Sequence, residues 1–157
     1  MRAAARPPEG AIPVARERGR YGGLMTAVAL AGLAIATYLL AMRIAGEAPV
    51  CGPVRGCDTV AASAYATVLG LPVALFGVVW SLAVVATTAI WWLRASRSAL
   101  YAAYGLGLVG VAAVAYLTYL EIAVIEAICI WCVSFAVTAV LGWILTIAAL
   151  RSWPEPE

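Results

Sequence analysis

The chain has 157 residues, of which 65% are hydrophobic and 11% charged, and its mean hydropathy is +0.98. A water-soluble domain of this size could not bury so much apolar surface, so the composition predicts an integral membrane protein. The net charge is +2, and the chain has no histidine, which removes the most common general base and the most common metal ligand. No pattern in the sequence predicts a nucleotide-binding site, a nucleic-acid partner or a metal site.

The N-terminal part of the chain predicts a basic tail followed by a membrane helix. Residues 1–20 contain five arginines and three prolines, which is typical of a disordered cytoplasmic tail. The apolar run at about 22–45 is too long for the hydrophobic region of a signal peptide. We therefore predict an uncleaved first transmembrane helix at about 22–45.

Residues 46–70 form the one long loop, which is more polar than the segments on either side. Glycine and proline interrupt it repeatedly, so its backbone is predicted to be irregular. Small residues at about 58–68 predict a short helix, which Asp58 or Thr59 could cap. We expect this helix to lie along the outer membrane surface, over the bundle.

The second half of the chain is apolar enough for three more membrane helices. The second helix is predicted at about 71–93, with Pro72 in its first turn, where proline is tolerated. A single helix over residues 99–150 would be about 75 Å long, against a hydrocarbon core of about 30 Å, so this region must be divided. Glu121 and Glu126 are its only charged residues, which places the division near them. The third and fourth helices are then predicted at about 99–120 and 127–150, with a cytoplasmic tail at 152–157.

These elements predict one all-α membrane domain at 21–151, a four-transmembrane-helix bundle with a short outer interfacial helix. Four spans place both termini on the same side of the membrane. Eight of the ten arginines lie in the N-terminal tail, in the turn at 94–98 and at Arg151. By the positive-inside rule the termini are cytoplasmic, and the loop at 46–70 lies outside.

All four cysteines are then expected on the outer face. Cys51 and Cys57 lie in the loop, and Cys129 and Cys132 form a C-x-x-C at the start of the fourth helix. The outer compartment permits disulfides, and a helix N-terminus favours a reactive thiolate. We interpret the two pairs as a relay for electrons. The loop pair exchanges with a partner protein, and the helical pair exchanges with a molecule within the membrane.

Other uses of four cysteines remain open. They could form a zinc site in a non-catalytic metal-binding or assembly protein, or two inert structural disulfides. A C-x-x-C bond closes almost no loop, however, and would stabilise the fold little. The residues also do not set the direction of electron flow, so a thiol-reducing conduit is a further alternative.

The motifs taken together resemble the vitamin K epoxide reductase family over about residues 22–150. They are the C-x5-C of the loop, Ser63 six residues after the second cysteine, the G-x-P that ends at Pro72, and the late C-x-x-C. Bacterial members of this family form disulfides. The resemblance therefore implies an enzyme, a quinone-dependent disulfide-forming oxidoreductase in the bacterial inner membrane.

The resemblance also implies a role for each cysteine. Cys132 would reduce a membrane quinone, menaquinone or ubiquinone, and would be left in a disulfide with Cys129. Cys129 would exchange with Cys57, and Cys57 with Cys51. Cys51 would contact a separate periplasmic or extracellular thioredoxin-like (DsbA-like) protein. The other partners expected are the membrane quinone and membrane lipid.

Three residues are candidates for binding the quinone. Ser63 matches a family Ser/Thr near the quinone, although it could also be a small residue of a surface helix. Phe76 could line the pocket or pack in the bundle, and Trp131 could stack on the quinone, shield the disulfide or anchor at the interface. Vertebrate members have an asparagine and a tyrosine near the quinone where this chain has Val73 and Ala136. Glu121 and Glu126 could mark a wet turn or supply protons.

Overall fold

The computed structural model describes residues 11–51 and 56–152, with side chains described from residue 19. Four long helices dominate the described chain, and a short helix, a 3₁₀ turn at Ala64–Ala66 and a two-stranded hairpin fill the loop between the first two long helices. In chain order the elements are α1 (Ala11–Ala45), α2 (Gly56–Ala62), β1 (Thr67–Val68), β2 (Leu71–Pro72), α3 (Val73–Arg94), α4 (Arg97–Ala123) and α5 (Ile130–Ser152).

The four long helices are apolar and long enough to cross a membrane. Their candidate spans have mean hydropathies between 1.8 and 2.2. A helix satisfies all its backbone hydrogen bonds internally, which a segment in lipid requires. The predicted all-α fold with four membrane helices is therefore confirmed. The spans are Gly19–Ala45, Val73–Arg94, Arg97–Ala123 and Ile130–Ser152.

The first helix begins earlier than predicted. It starts at Ala11, so the expectation that residues 11–20 belong to a disordered tail is wrong. Pro13 does not prevent this, because a proline in the first helical turn removes no intrahelical hydrogen bond. The rest of the predicted N-terminal tail, residues 1–10, and residues 153–157 of the C-terminal tail lie outside the described residues.

The long helices pack as a ring in which α1 contacts α3 and α5, and α4 contacts the same two helices. The tight turn between α3 and α4 makes these two helices antiparallel neighbours. Ala95 ends α3 in the left-handed conformation and donates its N–H to the Trp91 carbonyl. Ser96 then caps α4, because its side chain accepts the N–H of Ala99.

One end of the ring is closely packed. The part of α1 around Met25, the end of α3, the start of α4 and the end of α5 meet there. This end, which we call the terminal end, is built around Met25, Trp91, Ala99, Leu100 and Ala149.

The opposite end, which we call the cysteine end, carries α2, the hairpin and the α4–α5 connection. The predicted short helix begins at Gly56 rather than near residue 58, so Asp58 lies in its first turn and not at its N-cap. The hairpin was not predicted. Leu69 and Gly70 both have positive φ, as a tight two-residue turn between strands requires.

Two helix starts at the cysteine end also differ from the prediction. Pro72 belongs to β2, and α3 begins one residue later, at Val73. The last helix starts at Ile130 instead of 127. Glu126 has a positive φ, and the N–H of Ala127 bonds the carbonyl of Glu121, so the chain makes a turn before α5 can begin.

Candidate functional site

The two cysteine pairs meet at the cysteine end. Cys51 and Cys57 form a disulfide with a Cα–Cα distance of 6.0 Å, within the usual range of about 4.4–6.8 Å. Cys129 and Cys132 are free thiols. The Sγ atoms of Cys57 and Cys129 are 3.5 Å apart and buried, although 72 residues separate them in the chain. A thiol of the second pair therefore touches a disulfide sulfur of the first.

A glycine allows this close approach. The first residue of α2 is Gly56, and a Cβ atom there would overlap the carbonyl group of Ile128, next to Cys129. At the other end of α2, Arg43 Nη1 donates to the carbonyl oxygen of Ala61 at 3.0 Å. Since cations are favourable at the C-terminus of a helix, this bond helps hold α2 against α1.

Cys129 occupies the position just before α5. Its carbonyl accepts the N–H of Val133, the first hydrogen bond of the helix, and its Sγ accepts the N–H of Cys132 at 3.4 Å. The hydrogen bond from the Cys132 side chain lowers the pKa of the Cys129 thiol from 9.0 to about 7, although burial opposes this change. Cys129 is therefore prepared to act as a thiolate near neutral pH.

Glu121 lies directly beneath the second pair. The last turns of α4 carry it, and only 5% of its surface is exposed. Its Oε2 accepts the N–H of Cys129 at 3.2 Å, and its carboxyl group also interacts with the side chain of Cys132. From the sequence, Glu121 could mark a wet turn or supply protons. The sequence predicts a break between helices near Glu121 and Glu126, but nothing in it indicates that Glu121 folds back onto Cys129.

An aromatic clamp holds the residue before Cys51. Trp131 Nε1 donates to the carbonyl oxygen of Val50 at 2.9 Å, and the N–H of Val50 donates to Tyr38 Oη at 3.1 Å. The rings of Trp131 and Tyr38 pack with their centroids 4.6 Å apart. The loop cysteine is thereby tied to both α1 and α5.

A large apolar cavity of about 810 Å³ opens beside the cysteines. Cys57, Cys129 and Cys132 line it, together with residues of α3 and α4. Its few polar or titratable side chains outside the cysteine pairs belong to Arg43, Glu47, Ser63, Tyr65, Thr118 and Glu121.

The structure brings two of the three predicted quinone-binding residues to this cavity. Ser63 lines it and donates its hydroxyl to the Val60 carbonyl at 2.8 Å, and Phe76 lines it from the first turn of α3. Trp131 is not among the described residues of the lining, and its indole N–H is bonded to the loop. Val73 and Ala136, the apolar replacements noted in the sequence, both line the cavity.

The cysteines also form the one group in the described ranges 11–51 and 56–152 that resembles a metal site. The sulfurs of Cys51, Cys57 and Cys129 lie within 4.8 Å of one another. Zinc binds cysteine as a free thiolate, however, and two of these sulfurs are bonded to each other. In this state the cluster suits thiol–disulfide exchange better than metal binding.

The fold and the sulfur geometry define a multi-pass membrane protein with a thiol–disulfide centre. The chain belongs to the vitamin K epoxide reductase family, whose model matches residues 23–147. It is thus a member of a family of membrane oxidoreductases that act through cysteines and use redox partners and quinone-type cofactors. The resemblance inferred from the sequence is confirmed. No curated protein matches the chain as a relative.

Proposed function

We propose that this protein oxidises the dithiol of a separate secreted thioredoxin-like protein and passes the two electrons to a membrane quinone. In this proposal Cys51 contacts the partner and Cys57 exchanges with Cys129. Cys132 is the sulfur that reduces the quinone, whether menaquinone or ubiquinone. The observation that carries the proposal is the 3.5 Å contact between the sulfurs of Cys57 and Cys129.

The burial of the four sulfurs supports this order. Cys51 and Cys132 are partly exposed, whereas Cys57 and Cys129 are 0% and 2% exposed. Cys132 borders the apolar cavity, so Cys51 is the exposed cysteine of the loop pair and the proposed entry for a protein partner. The exchange Cys57–Cys129 takes place out of water, where neither sulfur can be captured by other thiols.

The cavity is suitable for a quinone ring. Its volume lies within the usual range of ligand pockets, about 300–1,000 Å³, and its lining is mainly apolar. Cys132 lines it, with Ser63 and Phe76 on the side of the hairpin and α3, so these residues would hold the ring against the sulfur. A bound quinone supplies an acceptor for two electrons and two protons. With Val73 and Ala136 in the lining, we do not propose vitamin K epoxide as the substrate.

The proposed location is the bacterial inner membrane, with both termini in the cytoplasm and the cysteine end outside. The distribution of arginines supports this orientation, because eight of the ten lie towards the terminal end or in the tails. The disulfide between Cys51 and Cys57 also fits an oxidising compartment.

Two matched variants test the relay, by mass spectrometry of non-reduced digests and by quinone reduction with a reduced dithiol as donor. In Cys51→Ala, Cys57 loses its resting partner and should accumulate a disulfide with Cys129, while Cys132 stays free. In Cys132→Ala, Cys51 and Cys57 should still pair, but quinone reduction should stop.

A Cys51→Ala protein that contains only a Cys129–Cys132 bond during turnover would show that the pairs do not exchange as proposed. Full quinone reduction by Cys132→Ala would show that Cys132 is not the sulfur that reduces the quinone.

The main alternative is a metal-binding protein that catalyses no reaction. If Cys51, Cys57 and Cys129 were all reduced, their three clustered sulfurs could bind the metal. The metal content of purified protein, measured with and without reductant, separates the two.

The reverse electron flow, from a quinol to the partner, would use the same contacts between the cysteines. It is distinguished by whether the purified protein oxidises or reduces the partner when a quinone or a quinol is supplied.

A further inference from the structure

Glu121 is a buried acid that the proposed electron path does not use. It is one of four polar or charged residues buried in the described part of the chain. A carboxylate removed from water is costly unless it has hydrogen bonds or a partner charge. Here the described partners are the N–H of Cys129 and the side chain of Cys132, the two cysteines of the C-x-x-C. The acid is therefore directed at the reacting sulfurs.

Thiol exchange at this site also leaves a charge that must be neutralised. When the Cys57 thiolate attacks the Cys129–Cys132 disulfide, Cys132 leaves as a thiolate. That sulfur lines a mainly apolar cavity, where an unpaired thiolate is unfavourable. One oxygen of Glu121 accepts the Cys129 N–H, and a carboxyl group has a second oxygen that can carry a proton.

We propose that Glu121 is a catalytic residue that gives a proton to the Cys132 sulfur as it leaves the Cys129–Cys132 disulfide. In this step the Cys57–Cys129 bond forms and the Cys129–Cys132 bond breaks. The products are the mixed disulfide, the Cys132 thiol and the Glu121 carboxylate. Cys51 then attacks Cys57 and releases the Cys129 thiolate, which gives the sulfur arrangement of the present structure. The inference rests on the proposed function.

The contacts of Glu121 explain why the proton goes to Cys132. Its hydrogen bond to the Cys129 backbone keeps the carboxyl group beside the pair whatever its protonation state. The Cys129 sulfur is already stabilised as a thiolate by the N–H of Cys132 and needs no proton of its own. Glu121 regains its proton from the Cys132 thiol when that sulfur is next oxidised.

Other titratable groups line the same cavity and must be considered in a pH profile. They come from the end of α1 and the following loop, from α2 and from the 3₁₀ turn, and α3 adds none within the described lining. Arg43 is already bonded to the end of α2, and Cys57 is itself a reactant. The groups are Arg43, Glu47, Cys57 and Tyr65.

A single-turnover experiment without quinone isolates the step. Protein oxidised at both pairs and freed of quinone is mixed with a reduced C-x-x-C peptide and quenched in acid. The thiols are then located by mass spectrometry at a series of pH values. Glu121→Gln keeps the size and a hydrogen-bond acceptor but has no proton to give. Glu121→Asp keeps the carboxyl group, and Glu126→Gln changes an exposed glutamate of the same connection as a matched control.

The wild-type rate of Cys132 thiol formation should rise and then fall with pH, because the step needs a Cys57 thiolate and a protonated Glu121. In Glu121→Gln the rate should drop about 100-fold and lose its fall at high pH. Glu121→Asp should keep the rise and fall, and Glu126→Gln should match the wild type. Reduction of the Cys51–Cys57 pair by the peptide should be equally fast in all four proteins.

A Glu121→Gln protein with the wild-type rate and profile overturns the inference but leaves the relay intact. A slower rate with an unchanged profile also overturns it, because a purely structural residue would act in that way. If the wild type itself reduces Cys51–Cys57 without ever reducing Cys129–Cys132, the failure belongs to the proposed function.

Discussion

The two ends of the helix bundle differ in how completely they are filled. At the terminal end, Trp91, Met25 and Leu100 are each 1% exposed, and the void between this end and the middle of the bundle holds only about 20 Å³. At the cysteine end the same helices border an open cavity of about 810 Å³. One end therefore holds the helices together, while the other leaves room beside the sulfurs.

Different means hold the two ends in place. The terminal end relies on close side-chain contact, the main source of helix association in a membrane. The cysteine end replaces part of that contact with covalent and polar links. Among these links are the Cys51–Cys57 disulfide, the aromatic clamp on Val50 and the hydrogen bond from Arg43 to the Ala61 carbonyl. Rigidity around the cavity therefore depends on the loop, and the loop carries the reactive sulfurs.

The largest effect is expected from Gly56→Ala at the cysteine end. The added methyl group would overlap the Ile128 carbonyl, so α2 must move and carry Cys57 away from Cys129. A displacement of about 1 Å can cost about 100-fold in rate, and we expect a loss of that size in exchange between the pairs. The measurement is the rate at which the Cys57–Cys129 species forms in a Cys51→Ala background.

Gly105→Ala is the control, because a Cβ there meets no atom within 4 Å and should leave exchange unchanged. If Gly56→Ala trapped the mixed disulfide as fast as its parent, the close approach would be irrelevant to the relay.

The second effect is on stability and concerns the terminal end. Leu100→Ala removes a fully buried side chain and should lower the free energy of unfolding by about 2–5 kcal/mol. Phe76→Ala at the cavity should cost less, because Phe76 is 45% exposed and borders space that is already open. Unfolding in detergent, followed by circular dichroism, gives both values.

Leu108→Ala, on the same helix but 49% exposed, controls for the loss of a leucine from α4. Equal costs for Leu100→Ala and Phe76→Ala would contradict the difference in packing between the ends.

The smallest effect concerns the thiol of Cys129. Cys129 lines the apolar cavity, so the reagent must be a small, apolar alkylating agent that can enter it. Because the thiolate is the species that reacts, alkylation of Cys129 should speed up as pH rises, with a midpoint at its pKa of about 7. Cys132→Ala removes the hydrogen bond that lowers this pKa, so the midpoint should move up towards 9.0. Alkylation rates from peptide mass spectrometry give the midpoints.

Ser134→Ala serves as the control, since the Ser134 hydroxyl bonds the Ile130 carbonyl in the same turn. An identical midpoint in Cys132→Ala and the wild type would mean that the helix N-terminus alone sets the reactivity of Cys129.

The sequence by itself determined the number of membrane helices and the grouping of the cysteines. In lipid every backbone polar group must be satisfied within its own segment, so a long apolar run can only be a helix, and composition is enough to find it. The family motifs are equally local, because C-x5-C, G-x-P and C-x-x-C can be recognised without knowing what they touch.

Only the tertiary structure decided what meets at the site. The sequence places Glu121 eight residues before Cys129 and leaves its direction open; the turn at Glu126 folds it onto the pair. The sequence leaves Trp131 free to stack on a quinone, to shield the disulfide or to anchor at the interface, and the structure shows its indole N–H bonded to the Val50 carbonyl beside Cys51. Helices in a membrane associate through shape and a few polar contacts, which hydropathy does not encode. For that reason the cavity, the buried acid and the contact between Cys57 and Cys129 could be seen only once the helices were packed.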